Sequence, residues 1–221
     1  AEADIERLAF YDALTGLPNR RLLIDRLCQS IAACARRGCY GALLFIDLDN
    51  FKVLNDTRGH HMGDQLLKQV GARLCACVRA ADTVARLGGD EFVVMLEELG
   101  TQESEAAGQA EAVGKKVQQA LNQPFDLEGV LHHSSPSIGV ALFFDLQQSV
   151  DELLQRADLA MYQSKAAGRN TLRFFDPVMQ AAASARAAME TDLRRALDKR
   201  EFLLHYQPVV DEASKVTGVE A

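Results

Sequence analysis

Basic residues are in deficit. The chain has 24 lysines and arginines against 31 aspartates and glutamates, a formal net charge of -7. That balance excludes general binding to nucleic acid or to an anionic membrane, both of which attract clustered cations. A negatively charged ligand would need locally placed cations or a metal. Long apolar runs are also missing, and none approaches the roughly 20 residues of a membrane span. No secretory leader is visible, and the chain starts without methionine. The five cysteines, Cys28, Cys34, Cys39, Cys75 and Cys77, are odd in number and form no CxxC pair. They read as buried free thiols in apolar helical patterns, which fits a reducing cytoplasm. Internal repeats are absent, and the only compositional bias is a run of alanines after residue 180.

What is present starts with length and apolar content. The 221 residues, 48% of them hydrophobic, suffice for one good-sized domain plus a fragment. The stretch that organises the chain is Arg86-Leu87-Gly88-Gly89-Asp90-Glu91-Phe92. Two glycines allow a tight reversal with positive φ, and two carboxylates sit at its tip. Phe92-Val93-Val94-Met95-Leu96 then reads as a buried strand. Acids held at a glycine turn are poorly placed for packing and well placed for a metal or phosphate. Taken alone, the turn equally fits a solvated acidic hairpin.

Around it the periodicity predicts alternating elements. Residues 1–11 read as the end of an incoming helix. Pro18 suits the entry to a helix over 19–37, which Gly38 ends. Ala42-Leu43-Leu44-Phe45-Ile46 is a central strand running into Asp47-Leu48-Asp49. A short helical turn and loop at 50–60 precedes a helix over 62–79. Strands at 83–87 and 92–97 flank the glycine turn. A helix over 102–121 stops before Pro124. Short strands near 125–127 and 130–134 lead to a longer one at 138–144. A helix over 150–167, capped by Gly168, leads to a strand at 172–175. Asp176-Pro177 marks a boundary, followed by a helix over 178–199, a strand starting at 202–206 and continuing at 209–210, and a hairpin partner at 216–220. Two strands cannot form their own core, so this end reads as a truncated second domain. The organisation is therefore an incoming helix (1–10), a main domain (11–176), a linker helix (177–199) and a domain start (200–221).

Several residues could carry chemistry together. Asp47 ends a buried strand and Asp90 tops the turn. Strand ends of α/β sheets collect ligands, and two such carboxylates with a backbone carbonyl, such as that of Leu48, can hold hard divalent cations. Lys52, in a loop rich in backbone amides, can cradle phosphates. Asn55 and Asp64 suit the hydrogen-bonding edge of guanine. Lys165 and Arg169 stand four apart at a helix end, which places them on one face for a polyphosphate. Each has an ordinary reading as well: strand exit, capping and turn chemistry, or cations at a helix C-terminus. Arg79-Ala80-Ala81-Asp82 alone is a helix-end salt bridge.

In combination these residues resemble the GGDEF domain of bacterial diguanylate cyclases. The resemblance rests on Asp12-Ala13-Leu14-Thr15-Gly16-Leu17-Pro18-Asn19-Arg20, Asp47-Leu48-Asp49-Asn50-Phe51-Lys52 with Asn55-Asp56, Gly59-His60 and Gly63-Asp64, and the Gly88 to Phe92 motif. Further support comes from Ser137-Ile138-Gly139-Val140-Ala141 and from Ala157-Asp158 through Lys165 to Gly168-Arg169-Asn170. The matches keep the family's order over about residues 10–175. Residues from about 185 onward, with Asp192-Leu193-Arg194-Arg195, His205-Tyr206-Gln207-Pro208 and Thr217-Gly218-Val219-Glu220-Ala221, resemble the opening of an EAL phosphodiesterase domain.

The resemblance implies an α/β (α+β) fold, a central, mainly antiparallel sheet flanked by helices like nucleotidyl cyclase and polymerase palm domains. It implies condensation of two GTP to cyclic di-GMP and two pyrophosphates in a homodimer of half-sites. On this mapping Asp47, the Leu48 carbonyl and Asp90 take Mg²⁺ (or Mn²⁺), and Asp90 is also the proton acceptor. Glu91 belongs to the motif without a firmly assigned role. Asn55, His60 and Asp64 contact guanosine. Phe51 (backbone), Lys52, Lys165 and Arg169 take phosphates. Arg79 and Asp82 fall at the family's inhibitory product site. The expected partners are GTP, cyclic di-GMP, a second copy of the chain, and upstream sensory and downstream EAL domains, with no nucleic acid. The expected place is the cytoplasm, with any membrane anchor outside this stretch. The other implied reading is a GTP- or cyclic di-GMP-binding module that regulates a phosphodiesterase without making product.

Overall fold

The structure is a computed structural model that describes residues 9–177, 189, 192–197, 199, 201, 205, 207–211 and 215–220. The chain forms two compact units, Ala1–Met179 and Gln180–Ala221.

In the first unit a five-stranded sheet has the order β2-β3-β1-β6-β7. Its strands are β1 (Gly41–Leu48), β2 (Thr83–Gly88), β3 (Glu91–Leu96), β6 (Pro136–Phe143) and β7 (Leu172–Phe174). All pairings are antiparallel except β6 with β7. A two-stranded ribbon, β4 (Phe125–Leu127) with β5 (Val130–His132), stands apart from it. The helices are α1 (Arg20–Arg37), α2 (Phe51–Arg58), α3 (His60–Cys77), α4 (Glu103–Asn122) and α5 (Val150–Ala166).

β1 is buried at all eight positions because helices cover both faces of the sheet. Side chains alternate across a strand. Leu44 and Ile46 join Leu66, Val70 and Leu74 of α3 and Ala106, Ala110 and Val117 of α4 on one face. Leu43 and Phe45 join Leu23, Leu27 and Ile31 of α1 and Leu153, Ala157 and Met161 of α5 on the other. Each such valine, leucine, isoleucine, phenylalanine or methionine contributes roughly 1.5–3 kcal/mol by leaving water. This two-sided burial explains why β1 reads as an unbroken apolar run. It also fixes where the polar end of β1, at Asp47, must emerge.

Three local expectations need correction. α3 begins at His60 and ends at Cys77, so Arg79 lies beyond the helix. Pro18 sits before the helix and bridges Tyr11, while Asn19 is the N-cap, its side chain accepting from the Arg21 and Leu22 amides. Cys28 and Cys75 are exposed; only Cys34, Cys39 and Cys77 are buried thiols.

In the second unit β8 (Gln207–Val210) pairs antiparallel with β9 (Val216–Glu220). The linker expected over 178–199 is helical at 192–197, and most of its remainder lies outside the described residues. The same holds for the incoming helix at 1–8 and most of the strand expected over 202–206.

Candidate active site

The β2–β3 turn is built by backbone freedom. Gly88 (φ 144°) and Gly89 (φ 51°) both lie where L side chains are strained. The register shifts between Arg86 and Gly88, Asp90 stands unpaired at the tip of the hairpin, and Glu91 opens β3. Glu91 pairs in register with Asp47 of β1, so the acids of both strands meet at one sheet edge.

Asp47 is 6% exposed and accepts from Lys165 Nζ at 2.7 Å. Burial pushes its carboxyl up to about 6; the Lys165 bond opposes this, while the charges of Asp90 and Glu91 reinforce it. Burial likewise raises Glu91, helped by Asp158 and Asp90 and opposed by Lys165 and Arg20. Burial also raises Asp158, against Lys165. Crowded carboxylates with a single close ammonium form a site poised for more positive charge.

The backbone adds a donor. The Asp49 N–H bonds the Ser135 carbonyl toward β6, so by strand alternation the Leu48 carbonyl faces β3. Registered pairing there ends at Asp47–Glu91, which leaves that carbonyl on the Asp90 side. Two carboxylates and a carbonyl are hard oxygen donors suited to Mg²⁺. Among the described residues no group of three or more His, Cys, Asp or Glu is arranged to hold a metal, so a cation here would rely on the carbonyl and on phosphate oxygens.

The raised carboxyl has a consequence for stability. With a folded pKa of about 6 against an ordinary 3.8, the folded state keeps a proton that the unfolded chain has released. Stability from Asp47 is full below about pH 4 and falls as pH rises to 6, by about 3 kcal/mol. In chelator, Asp47→Asn is expected to flatten the decline in urea midpoint between those pH values. A variant profile parallel to that of the parent would contradict the burial argument.

Asp49, the neighbouring acid, has a different task. Its carboxylate accepts from the Ser135 hydroxyl (2.6 Å), the Ser137 hydroxyl (2.7 Å) and the Asn170 N–H (3.0 Å). It fastens the loop after α5 to β1 and β6.

Arg86 locks the glycine turn. Its Nη1 donates to both Asp12 oxygens at 3.0 Å, and its Nε and Nη2 donate to the Gly89 carbonyl at 3.1 and 2.7 Å. Asp12 also accepts from the Thr15 amide and hydroxyl. These bonds hold its carboxyl below the usual range although burial works the other way. The Arg86 N–H reaches the Pro18 carbonyl at 2.9 Å. The turn at 12–18 thus clamps the turn bearing Asp90. Sequence reasoning missed Asp12 and Arg86 as a pair, and also Asp158 and Arg20.

The remaining predicted residues fall as follows. Lys52 is exposed on the first turn of α2, and His60, the first residue of α3, and Asp64, one turn further on, are exposed. Asn55 Oδ1 is buried without a partner. Both Asn55 and the Phe51 ring lie over Gly63, where a Cβ would collide with Asn55. An orphaned amide oxygen is costly unless something satisfies it, so a polar ligand edge fits there. Lys165 and Arg169 do not share a helix face. α5 ends at Ala166, and Arg169 follows Gly168 in a left-handed conformation (φ 64°); only Lys165 reaches Asp47. Arg79 and Asp82 sit at the opposite end of β2 from the glycine turn, roughly 20 Å along the strand direction. There the Asp82 carboxylate accepts from the Arg79 N–H (2.9 Å) and the Glu97 N–H (3.3 Å). Both residues line a cavity of about 320 Å³ with Cys77 and Lys116.

Comparison with known proteins agrees with this architecture. Residues 9–171 match the family model described as "Diguanylate cyclase, GGDEF domain". The chain is 45% identical over its full length to the bifunctional diguanylate cyclase/cyclic di-GMP phosphodiesterase MucR of Pseudomonas aeruginosa. Over 95% of its length it is 40% identical to the cyclic di-GMP phosphodiesterase NbdA of the same organism. It spans only 32% and 26% of those two proteins. Among solved structures, the GGDEF domain of PA1120 (TpbB or YfiN) from P. aeruginosa superposes with a TM-score of 0.74 at 33% identity, over 79% of this chain and 99% of that one. The chain belongs to the GGDEF domain family.

Proposed function

We propose that the chain is a diguanylate cyclase that condenses two GTP into cyclic di-GMP and two pyrophosphates. The observation that carries this reading is the meeting of Asp47, Asp90 and Glu91 at one sheet edge around Lys165. Asp47, the Leu48 carbonyl and Asp90 would hold Mg²⁺ or Mn²⁺, which supplies charge neutralisation at the phosphates. Asn55 and Asp64 bind the guanine edge, and His60 contacts the nucleoside. The Phe51 backbone, Lys52, Lys165 and Arg169 bind phosphates, Lys165 exchanging its Asp47 bond for a phosphate oxygen. Asp90 accepts the proton as the 3′-oxygen of one GTP attacks the α-phosphorus of the other and pyrophosphate leaves. The reciprocal attack closes the ring.

Each domain holds one GTP, so the reaction needs two copies face to face. Specific activity is therefore expected to rise with protein concentration; activity per chain that stays constant on dilution would remove the half-site reading. Upstream sensory and downstream EAL domains belong to the same proposal, as does a cytoplasmic setting. Among the described residues no helix is long and apolar enough to cross a membrane.

Arg79 and Asp82 form the inhibitory product site in this reading. Added cyclic di-GMP is expected to slow turnover, and Arg79→Ala to raise the half-inhibiting concentration about tenfold or more, the loss of one charged hydrogen bond to a phosphate or guanine. Equal inhibition of both proteins would remove the product site.

A second reading is a GTP- or cyclic di-GMP-binding regulator of a phosphodiesterase. The 40% identity to a protein named only as a phosphodiesterase favours it. GTP bound without turnover is its signature.

A further inference from the structure

Behind the helix that carries Lys52 and Asn55 lies a second cavity, of about 390 Å³. Val53, Leu54 and Arg58 of α2 line it together with His132, His133 and Ser134. Positions 53, 54, 57 and 58 follow helical spacing and so share a face, which is not the face of Lys52 and Asn55. The cavity is therefore separate from the site proposed for GTP.

Its chemistry is that of an anion site. Arg58 and two imidazoles line it. Its one acidic lining residue, Asp49, already has its carboxylate held by Ser135, Ser137 and the Asn170 N–H. Arg58 has no carboxylate partner among the described residues. Ser134 is 9% exposed, and its hydroxyl is buried with no hydrogen-bond partner. A cation at a helix C-terminus is ordinary. The orphaned Ser134 hydroxyl needs a further explanation, because buried polar groups are normally satisfied, and two imidazoles, His132 half-buried and His133 exposed, line the same cavity. Burial and the charges of Arg58 and His133 keep His132 below its usual pKa. The volume is in the range of small-molecule sites and exceeds the needs of a bare phosphate.

We propose that this cavity binds a small phosphorylated molecule, its phosphate held by Arg58, His132, His133 and Ser134 and its organic part against Val53 and Leu54. Such an occupant ties the back of α2 to the segment between β5 and β6. It would brace the helix whose other face bears Lys52 and Asn55.

The test is a titration of the full chain, followed by backbone amide NMR, with AMP, ribose 5-phosphate and inorganic phosphate in turn. The proposal expects saturable shifts at Thr57, Arg58 and residues 132–135 with at least one organic phosphate, tighter than with inorganic phosphate. Preference for AMP assigns a nucleotide, and equal binding of both organic ligands assigns a sugar phosphate. Arg58→Gln should weaken binding about tenfold or more, as expected for loss of a charged hydrogen bond. Ser134→Ala should also weaken it, with the remaining spectrum unchanged as the check on folding. Shifts confined to Lys52 and the Gly88–Asp90 turn, no shifts at millimolar ligand, inorganic phosphate binding as tightly as either organic ligand, or unaltered binding by Arg58→Gln would each overturn it.

Discussion

Asp90→Ala is expected to reduce cyclic di-GMP formation by about 10³-fold or more while leaving the fold intact. The magnitude follows from the two tasks proposed for this carboxylate. Removing a general base costs typically 10²–10⁴-fold, and losing a ligand for the cation that neutralises the phosphates costs further. The fold should tolerate the change. Asp90 follows the glycine turn, outside the registered strand pairs. The turn's shape is held by Arg86 on the Gly89 carbonyl and by Asp12 on Arg86, neither of which uses the Asp90 side chain. Its removal also relieves like-charge crowding at Asp47. Turnover by liquid chromatography, with the melting temperature in parallel, separates the outcomes. Retained turnover, or lost turnover with a collapsed melting temperature, would contradict the role given to Asp90.

The second large effect is on stability. Gly139 of β6 lies directly against the backbone of α5. A Cβ there would collide with the Ala157 carbonyl oxygen, the Met161 nitrogen and the Ala160 carbonyl carbon. These are backbone atoms in a helix, so no side chain can swing aside, and α5 itself must move. Gly139→Ala is therefore expected to cost about 3 kcal/mol, the upper end for overpacked cores. That corresponds to a fall of about 10 °C in melting temperature for a domain of this size. The same displacement pulls Lys165, near the end of α5, away from Asp47. An unchanged melting temperature would mean that α5 sits less tightly on the sheet than described.

These two sites show what can be read before the fold is known. β1 and β3 announce themselves as unbroken apolar runs because helices cover both faces of the sheet. The glycine turn is legible because the φ of 144° at Gly88 needs glycine and the left-handed φ of 51° at Gly89 favours it. Asp47 and Asp90 could be read together because strand ends of α/β sheets collect ligands, but that β1 and β3 are adjacent is a property of the fold. What stayed hidden depends on distant segments. The Arg86–Asp12 clamp joins residues 74 positions apart, and either residue alone looks like any turn charge. Asp49 looks as available as Asp47 until Ser135, Ser137 and Asn170 fold onto it. Lys165 and Arg169 have helical spacing, but the helix ends between them, so the shared face never forms. Gly139, beside Ser137 and Ile138 in a strand, gives no local hint of the helix packed upon it.

The arrangement also relates stability to function. Four carboxylates, at 47, 90, 91 and 158, are drawn to one edge. Burial disfavours ionisation of Asp47, Glu91 and Asp158. A chain optimised for stability alone would not keep them together; a site that receives a cation and a polyphosphate has reason to.

The most direct measurement incubates the purified chain at high concentration with GTP and Mg²⁺ and quantifies both products by chromatography and a pyrophosphate assay. The expected result is cyclic di-GMP and pyrophosphate in a one-to-two ratio. GTP that binds saturably yet is recovered unconverted at every protein concentration would contradict it, and would leave the chain as a nucleotide-sensing domain.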